Sequence, residues 1–87
     1  MSRVEIYTTP FCPYCQRAKA LLTKKGVEFR EIDLTDVPGA REEMDRRTEG
    51  ARTVPQIFIN DRLIGGSDQL AALERKGELD PLLAAAE

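Results

Sequence analysis

Histidine and tryptophan are both missing from the 87 residues, and cysteine occurs twice. Without histidine there is no Cys-His or Ser-His catalytic pair, no His-containing zinc site and no ordinary switch near neutral pH. Two cysteines are a poor staple for a fold and too few to complete a four-ligand zinc site within one chain, so a metal site would have to be shared between molecules. No apolar run approaches the roughly 20 residues of a membrane span, and the start, Met1-Ser2-Arg3-Val4-Glu5, is charged where a secretory signal would be apolar. The expectation is a cytoplasmic protein away from membranes. One sign of charge does not dominate either: 13 Lys and Arg against 15 Asp and Glu give a formal net charge of -2, which offers no broad basic face to nucleic acid. The chemistry that remains at neutral pH is the cysteine pair.

With 41% hydrophobic and 32% charged residues, and no repeat, low-complexity tract or linker, the chain is expected to form one domain over 1–87. Val4, Glu5, Ile6 and Tyr7 alternate apolar with polar ahead of Thr8-Thr9-Pro10 and predict a strand. From 13 to 25, Tyr14, Cys15, Ala18, Leu21 and Leu22 lie opposite Gln16, Arg17, Lys19, Lys24 and Lys25, the pattern of an amphipathic helix stopped by Gly26. A second strand is expected over 27–34, then a polar helix over 41–47 whose single large apolar residue, Met44, implies shallow burial. Residues 56–59 and 62–64 flank Asn60-Asp61, a pair suited to a tight hairpin. Gly65-Gly66-Ser67-Asp68 leads to a helix over 69–76, with Ser67 and Asp68 at its N-cap position and Leu70, Ala71 and Leu73 inward; Gly77 ends it and Pro81-Leu82-Leu83 begin a short terminal turn. The order β-α-β-α-β-β-α predicts an α/β fold: a parallel crossover and an antiparallel hairpin, giving a four-stranded mixed sheet flanked by three helices.

Cys12-Pro13-Tyr14-Cys15 stands where the first strand hands over to the first helix. Two intervening residues at a helix start put both sulfurs on one side of the first turn, near enough to close a disulfide. The first sulfur faces unpaired N–H groups and the positive end of the helix dipole, which favour thiolate over thiol. Cys12 is thus the expected nucleophile, whereas Cys15, one turn in and on the apolar stripe, is shielded; Pro13 fits a position with no N–H to satisfy. The competing readings are two thiols packed as small hydrophobes, a zinc half-site and an inert disulfide. The first is disfavoured by a helix entrance between Pro10 and Pro13, which is not a core position; the second by the missing ligands; the third by the cytoplasmic setting and the short loop.

Two further segments are less decided. Thr53-Val54-Pro55 precedes the third strand; proline donates nothing to a ladder and holds Val54 extended, with backbone groups available to a peptide-like substrate. It is equally a proline opening an edge strand. Gly65-Gly66-Ser67-Asp68 permits close backbone approach, with helix N–H groups for a carboxylate and Asp68 for an ammonium, yet it also reads as a plain turn and cap.

Taken with Tyr7-Thr8-Thr9-Pro10-Phe11 before the first cysteine and Gln56-Ile57-Phe58-Ile59 after Pro55, these segments resemble a dithiol glutaredoxin of the bacterial type over nearly the whole chain. The resemblance implies a thioredoxin-like fold, a cis bond before Pro55, and a glutathione groove between the cysteine loop, Val54 and the start of the last helix. By that likeness Val54 pairs with the cysteinyl backbone of glutathione, Ser67 and Asp68 hold its γ-glutamyl end, and Tyr14, Thr53, Pro55 and Gly66 complete the groove. One departure stands out: many members carry lysine three residues before the first cysteine, where this chain has Thr9, so a cation for the glycyl carboxylate is sought among Arg46, Arg47 and Arg52.

The implied activity is glutathione-dependent disulfide reduction by a monomer, with catalytic Cys12 and Cys15, glutathione as reducing co-substrate and no tightly bound cofactor. The partners are glutathionylated or disulfide-containing proteins. Two alternatives come from other classes. One is a cluster carrier, in which two chains bridge an iron-sulfur cluster through Cys12 and glutathione; Pro13 speaks against it. The other is a thioredoxin-like donor reset by a flavoprotein reductase, against which the Thr-Val-Pro and Gly-Gly-Ser-Asp elements speak because they supply a tripeptide groove.

Overall fold

The computed structural model describes residues 3 to 84. Met1 and Ser2 of the charged start, and residues 85–87 of the domain expected over 1–87, lie outside the described residues. The elements are β1 (Val4–Thr8), α1 (Pro13–Lys24), β2 (Arg30–Asp33), α2 (Ala40–Thr48), β3 (Gln56–Ile59), β4 (Arg62–Gly65), α3 (Ser67–Arg75) and α4 (Leu79–Ala84). The strands form one mixed sheet in the order β2-β1-β3-β4. β1 runs parallel to β2, with Tyr7 opposite Ile32, and antiparallel to β3, with Glu5 opposite Phe58. β3 and β4 close the hairpin through Asn60 and Asp61, both at positive φ (53 and 65°) as a type I′ turn requires. Among the described residues no helix is long and apolar enough to cross a membrane.

Side chains alternate across a strand, so the central strands β1 and β3 feed two separate cores. Val4, Ile6, Ile57 and Ile59 meet Ala18 and Leu22 of α1, Leu70 of α3 and Leu79 and Leu83 of α4 on one face. On the other, Tyr7, Ile32 and Phe58 meet Ala40 and Met44 of α2. The α1 stripe is as expected: Cys15, Ala18 and Leu22 are its buried residues.

All five residues of β1 are buried, Glu5 included, because α2 covers the face that carries Glu5 and Tyr7. Four expectations are corrected by this packing. α2 is narrow in its contact but not shallow, since Ala40, Met44 and Thr48, spaced four apart, are all buried. β2 is half the expected length; Val27 and Phe29 pack against the first core from an irregular approach. α3 starts two residues early, with Gly66 as N-cap and Ser67 and Asp68 inside the first turn. The terminal turn is a fourth helix, with Leu79 fully buried and Pro81 tolerated in its first turn, where its missing N–H has no helical partner to lose.

Candidate active site

β1 ends at Thr8, and the chain turns through Pro10 and Phe11 into the N-terminus of α1. Cys12 is the N-cap, in extended conformation, and Pro13 takes the first helical position. Its sulfur accepts a hydrogen bond from the Cys15 backbone N–H at 3.2 Å, so one of the helix's unpaired donors is aimed at the Cys12 sulfur. The Cys12 thiol in turn lies 3.9 Å from the Val54 carbonyl, 42 residues away in sequence. Cys12 is 9% exposed, more enclosed than a bare helix entrance suggests. Cys15 is fully buried one turn further in, and both thiols are free. Burial first, and then its hydrogen bond with Cys12, pushes the Cys15 thiol up to about 11; the Thr9 backbone and Lys19 pull the other way. The two sulfurs are therefore chemically unlike: one at the helix mouth beside an N–H donor, one dry and protonated at neutral pH.

The Val54–Pro55 peptide is cis. Thr53 is fixed from behind by Gln56, whose side-chain amide donates to the Thr53 carbonyl at 2.9 Å and to its hydroxyl at 3.3 Å. Across from this loop, Gly65 at φ 114° turns the chain into α3, and the Gly66 N–H is held at 2.8 Å by the Gln69 side-chain oxygen three residues on. A Cβ on Gly66 would stand 3.3 Å from that oxygen and 3.5 Å from the Pro55 carbonyl, so the close approach expected of the glycines is an approach to the loop.

Between loop and helix start lies an open cleft of about 460 Å³, counting the space that opens to solvent. Thr53, Val54 and Pro55 line one side, Gly66, Ser67 and Asp68 the other, with Tyr14 at the dithiol end. Every residue expected to bind a tripeptide is thus on one cleft, and Cys12 touches its edge through Val54. The lining also includes Gln69, which sequence reasoning passed over, as it did Gln56. Both were findable: glutamine three residues into a helix often bonds back to its N-cap, and a polar residue opening a buried strand needs a nearby partner.

Of the three arginines considered for the glycyl carboxylate, Arg47 is excluded. Its guanidinium bonds Glu5 and the Tyr7 hydroxyl at 2.9 Å each and Asp61 at 3.1 Å, and it stacks 3.9 Å from the Phe58 ring centroid, on the α2 face of the sheet. Burial works against its charge, but the Glu5 and Tyr7 oxygens prevail and hold it above the usual arginine range. Arg46 and Arg52 are exposed.

Phe11, which the sequence offers only as one position of the segment before Cys12, has a distinct setting in the structure. It is 99% exposed and sits at φ 61°, a left-handed conformation in which a bulky L residue is an outlier at a cost of about 1–3 kcal/mol.

Residues 4–64 match the family model described as Glutaredoxin. Over 83 residues the chain is 57% identical to Glutaredoxin 3 of Escherichia coli strain K12, covering 95% of this chain and 99% of that protein. The solution structure of glutaredoxin from Brucella melitensis is 56% identical with a TM-score of 0.79, over 93% of this chain and 87% of that one. The crystal structure of a buckwheat glutaredoxin-glutathione complex is 29% identical with a TM-score of 0.85, over 94% and 76% of the two chains.

Proposed function

The chain belongs to the glutaredoxin family of glutathione-dependent thiol-disulfide oxidoreductases with a thioredoxin-like fold, and from that premise we propose that Cys12 and Cys15 carry the reduction of glutathione mixed disulfides and of protein disulfides. The observation that supports this most is the Cys12 sulfur, 3.2 Å from a helix N–H and 3.9 Å from Val54 at the rim of the cleft.

In the monothiol route the Cys12 thiolate attacks the glutathionyl sulfur of a mixed disulfide. The Cys12–glutathione bond forms, the original disulfide breaks, and the target leaves as a thiolate that takes its proton from water. A second glutathione thiolate then attacks the bound glutathionyl sulfur, giving glutathione disulfide and restoring Cys12. For a protein disulfide, Cys12 attacks first; Cys15 loses its proton and displaces the target, leaving a Cys12–Cys15 bridge that two glutathiones reduce. Poised at about -200 to -230 mV, such a dithiol runs toward reduction on a cytoplasmic glutathione pool, and the monomer suffices.

Glutathione is assigned to the cleft because its lining sets an extended backbone, a helix start and a carboxylate around one opening, the groups a tripeptide needs. The buckwheat complex, a related chain crystallised with glutathione, supports the assignment. The extended Val54 backbone pairs with the cysteinyl unit, Ser67 and Asp68 take the γ-glutamyl end, and Tyr14, Thr53, Pro55 and Gly66 form the walls. Cys12→Ser is expected to abolish turnover of the mixed disulfide of glutathione and 2-mercaptoethanol, while Cys15→Ser retains it and loses protein-disulfide reduction. Equal loss of both activities in Cys15→Ser would refute the monothiol route.

A further inference from the structure

We propose that Phe11 determines specificity among protein substrates: it receives a large apolar side chain next to the target cysteine and takes no part in holding glutathione. The inference rests on the dithiol chemistry proposed above and adds a contact to it.

Three observations meet at this residue. Phe11 adds nothing to the core, because its side chain is 99% exposed. Its backbone at φ 61° is one that glycine or asparagine adopts readily and a bulky aromatic does not, so local conformation does not explain a phenylalanine here. A lone exposed apolar side chain is ordinary, but one displayed against its backbone preference is not. Finally, it is bonded directly to the nucleophile's residue, its Cα about 3.8 Å from that of Cys12 across a trans peptide.

The cleft decides what Phe11 can meet. The lining runs from Tyr14 through the Val54 loop to Asp68 and does not include Phe11. A mixed disulfide has two halves, and the cleft takes the tripeptide half. The other half, attached through the sulfur that leaves when Cys12 attacks, is left outside the cleft, where the exposed Phe11 beside Cys12 is available to meet it. A small leaving thiol does not reach it, whereas a polypeptide does. The matching occupant is an extended segment with a large apolar residue beside its cysteine, since aromatic rings gain most by covering apolar surface.

The test compares wild type, Phe11→Ala and Phe11→Leu on three glutathionylated probes: 2-mercaptoethanol, a hexapeptide with leucine beside its cysteine, and the same hexapeptide with serine there. Turnover is followed with glutathione, NADPH and glutathione reductase. Phe11→Ala is expected to lower kcat/KM roughly five- to tenfold on the leucine peptide and to shift the other two probes, and the KM for glutathione, by less than about twofold. Phe11→Leu should keep most of the preference. Equal slowing on all three probes would overturn the proposal, because Phe11 would then act on Cys12 itself; so would an unchanged rate on the leucine peptide. Failure of the wild-type protein to turn over the 2-mercaptoethanol probe would instead overturn the function proposed above.

Discussion

Cys12 and Cys15 are separated by two residues, but folding places one at a helix mouth and the other in a dry interior. For Cys15 this has a measurable pH signature. Its folded pKa, about 11, lies above the roughly 8.5 of an unfolded thiol, so the native chain keeps a proton that the unfolded chain releases in between. The resulting stabilisation is complete below about pH 8.5 and is lost as pH rises toward 11, on the order of 3 kcal/mol in all. Urea midpoints between pH 8 and 10 should therefore fall more steeply for wild type than for Cys15→Ala; parallel slopes would mean that Cys15 titrates like an exposed thiol. The asymmetry was legible in the sequence because it depends on local things, a helix start and an apolar stripe. The burial of Glu5 was not, because its partner Arg47 is 42 residues away and nothing between them announces the pairing.

At the scale of elements, the start of α3 separates a capping task, met by Gln69, from the glutathione-binding task proposed for Asp68. Gln69 satisfies the Gly66 N–H, which leaves Asp68, exposed in the first turn, to complement the helix dipole and to face the cleft. Asp68→Asn removes the charge while keeping the shape. A hydrogen bond to a charged group contributes about 1.5–3 kcal/mol, so the glutathione KM should rise about tenfold or more while the melting temperature drops by no more than a few degrees. A large loss of stability with unchanged glutathione kinetics would make Asp68 a structural residue. The first helix, the hairpin and the helix after the paired glycines could all be read from periodicity and turn chemistry. α4 could not: six residues do not hold a helix in water, and this one exists because Leu79 and Leu83 insert into a core completed by four other elements. Its position is further held by Lys25, which reaches Glu74 of α3 at 2.7 Å and Asp80 of α4 at 3.0 Å, a tie that no local pattern reveals.

Across the whole molecule, Arg47 joins three layers of chain: α2, the central strand through Glu5 and Tyr7, and the hairpin tip through Asp61. The Tyr7 hydroxyl also donates to Glu43, one turn earlier on α2, and burial and that carboxylate hold it above its usual range. Arg47→Met would leave the Glu5 carboxylate buried with, among the described residues, Arg30 as its remaining ion-pair partner, 3.9 Å away and mostly exposed. A loss of about 3 kcal/mol is expected, a large part of what an 87-residue domain possesses, and the double variant with Glu5→Gln should recover most of it. Urea unfolding of the two variants checks this; equal instability in both would show that Arg47 acts through its packing on Phe58 rather than its charge.

The register of the sheet also sets a timetable. β1 leaves the ribosome first and finds β2 some 25 residues later, but its other neighbour, β3, is translated only after about 50 more residues than β1 itself. At roughly 5–20 residues per second, that interval lasts about 3–10 s. Until β3 is made, Val4–Thr8 lacks its antiparallel neighbour and Cys12 lacks the Val54 wall. The same long-range pairing that encloses the dithiol in the finished protein therefore leaves both thiols less covered in the growing chain than in the folded one until β3 is in place.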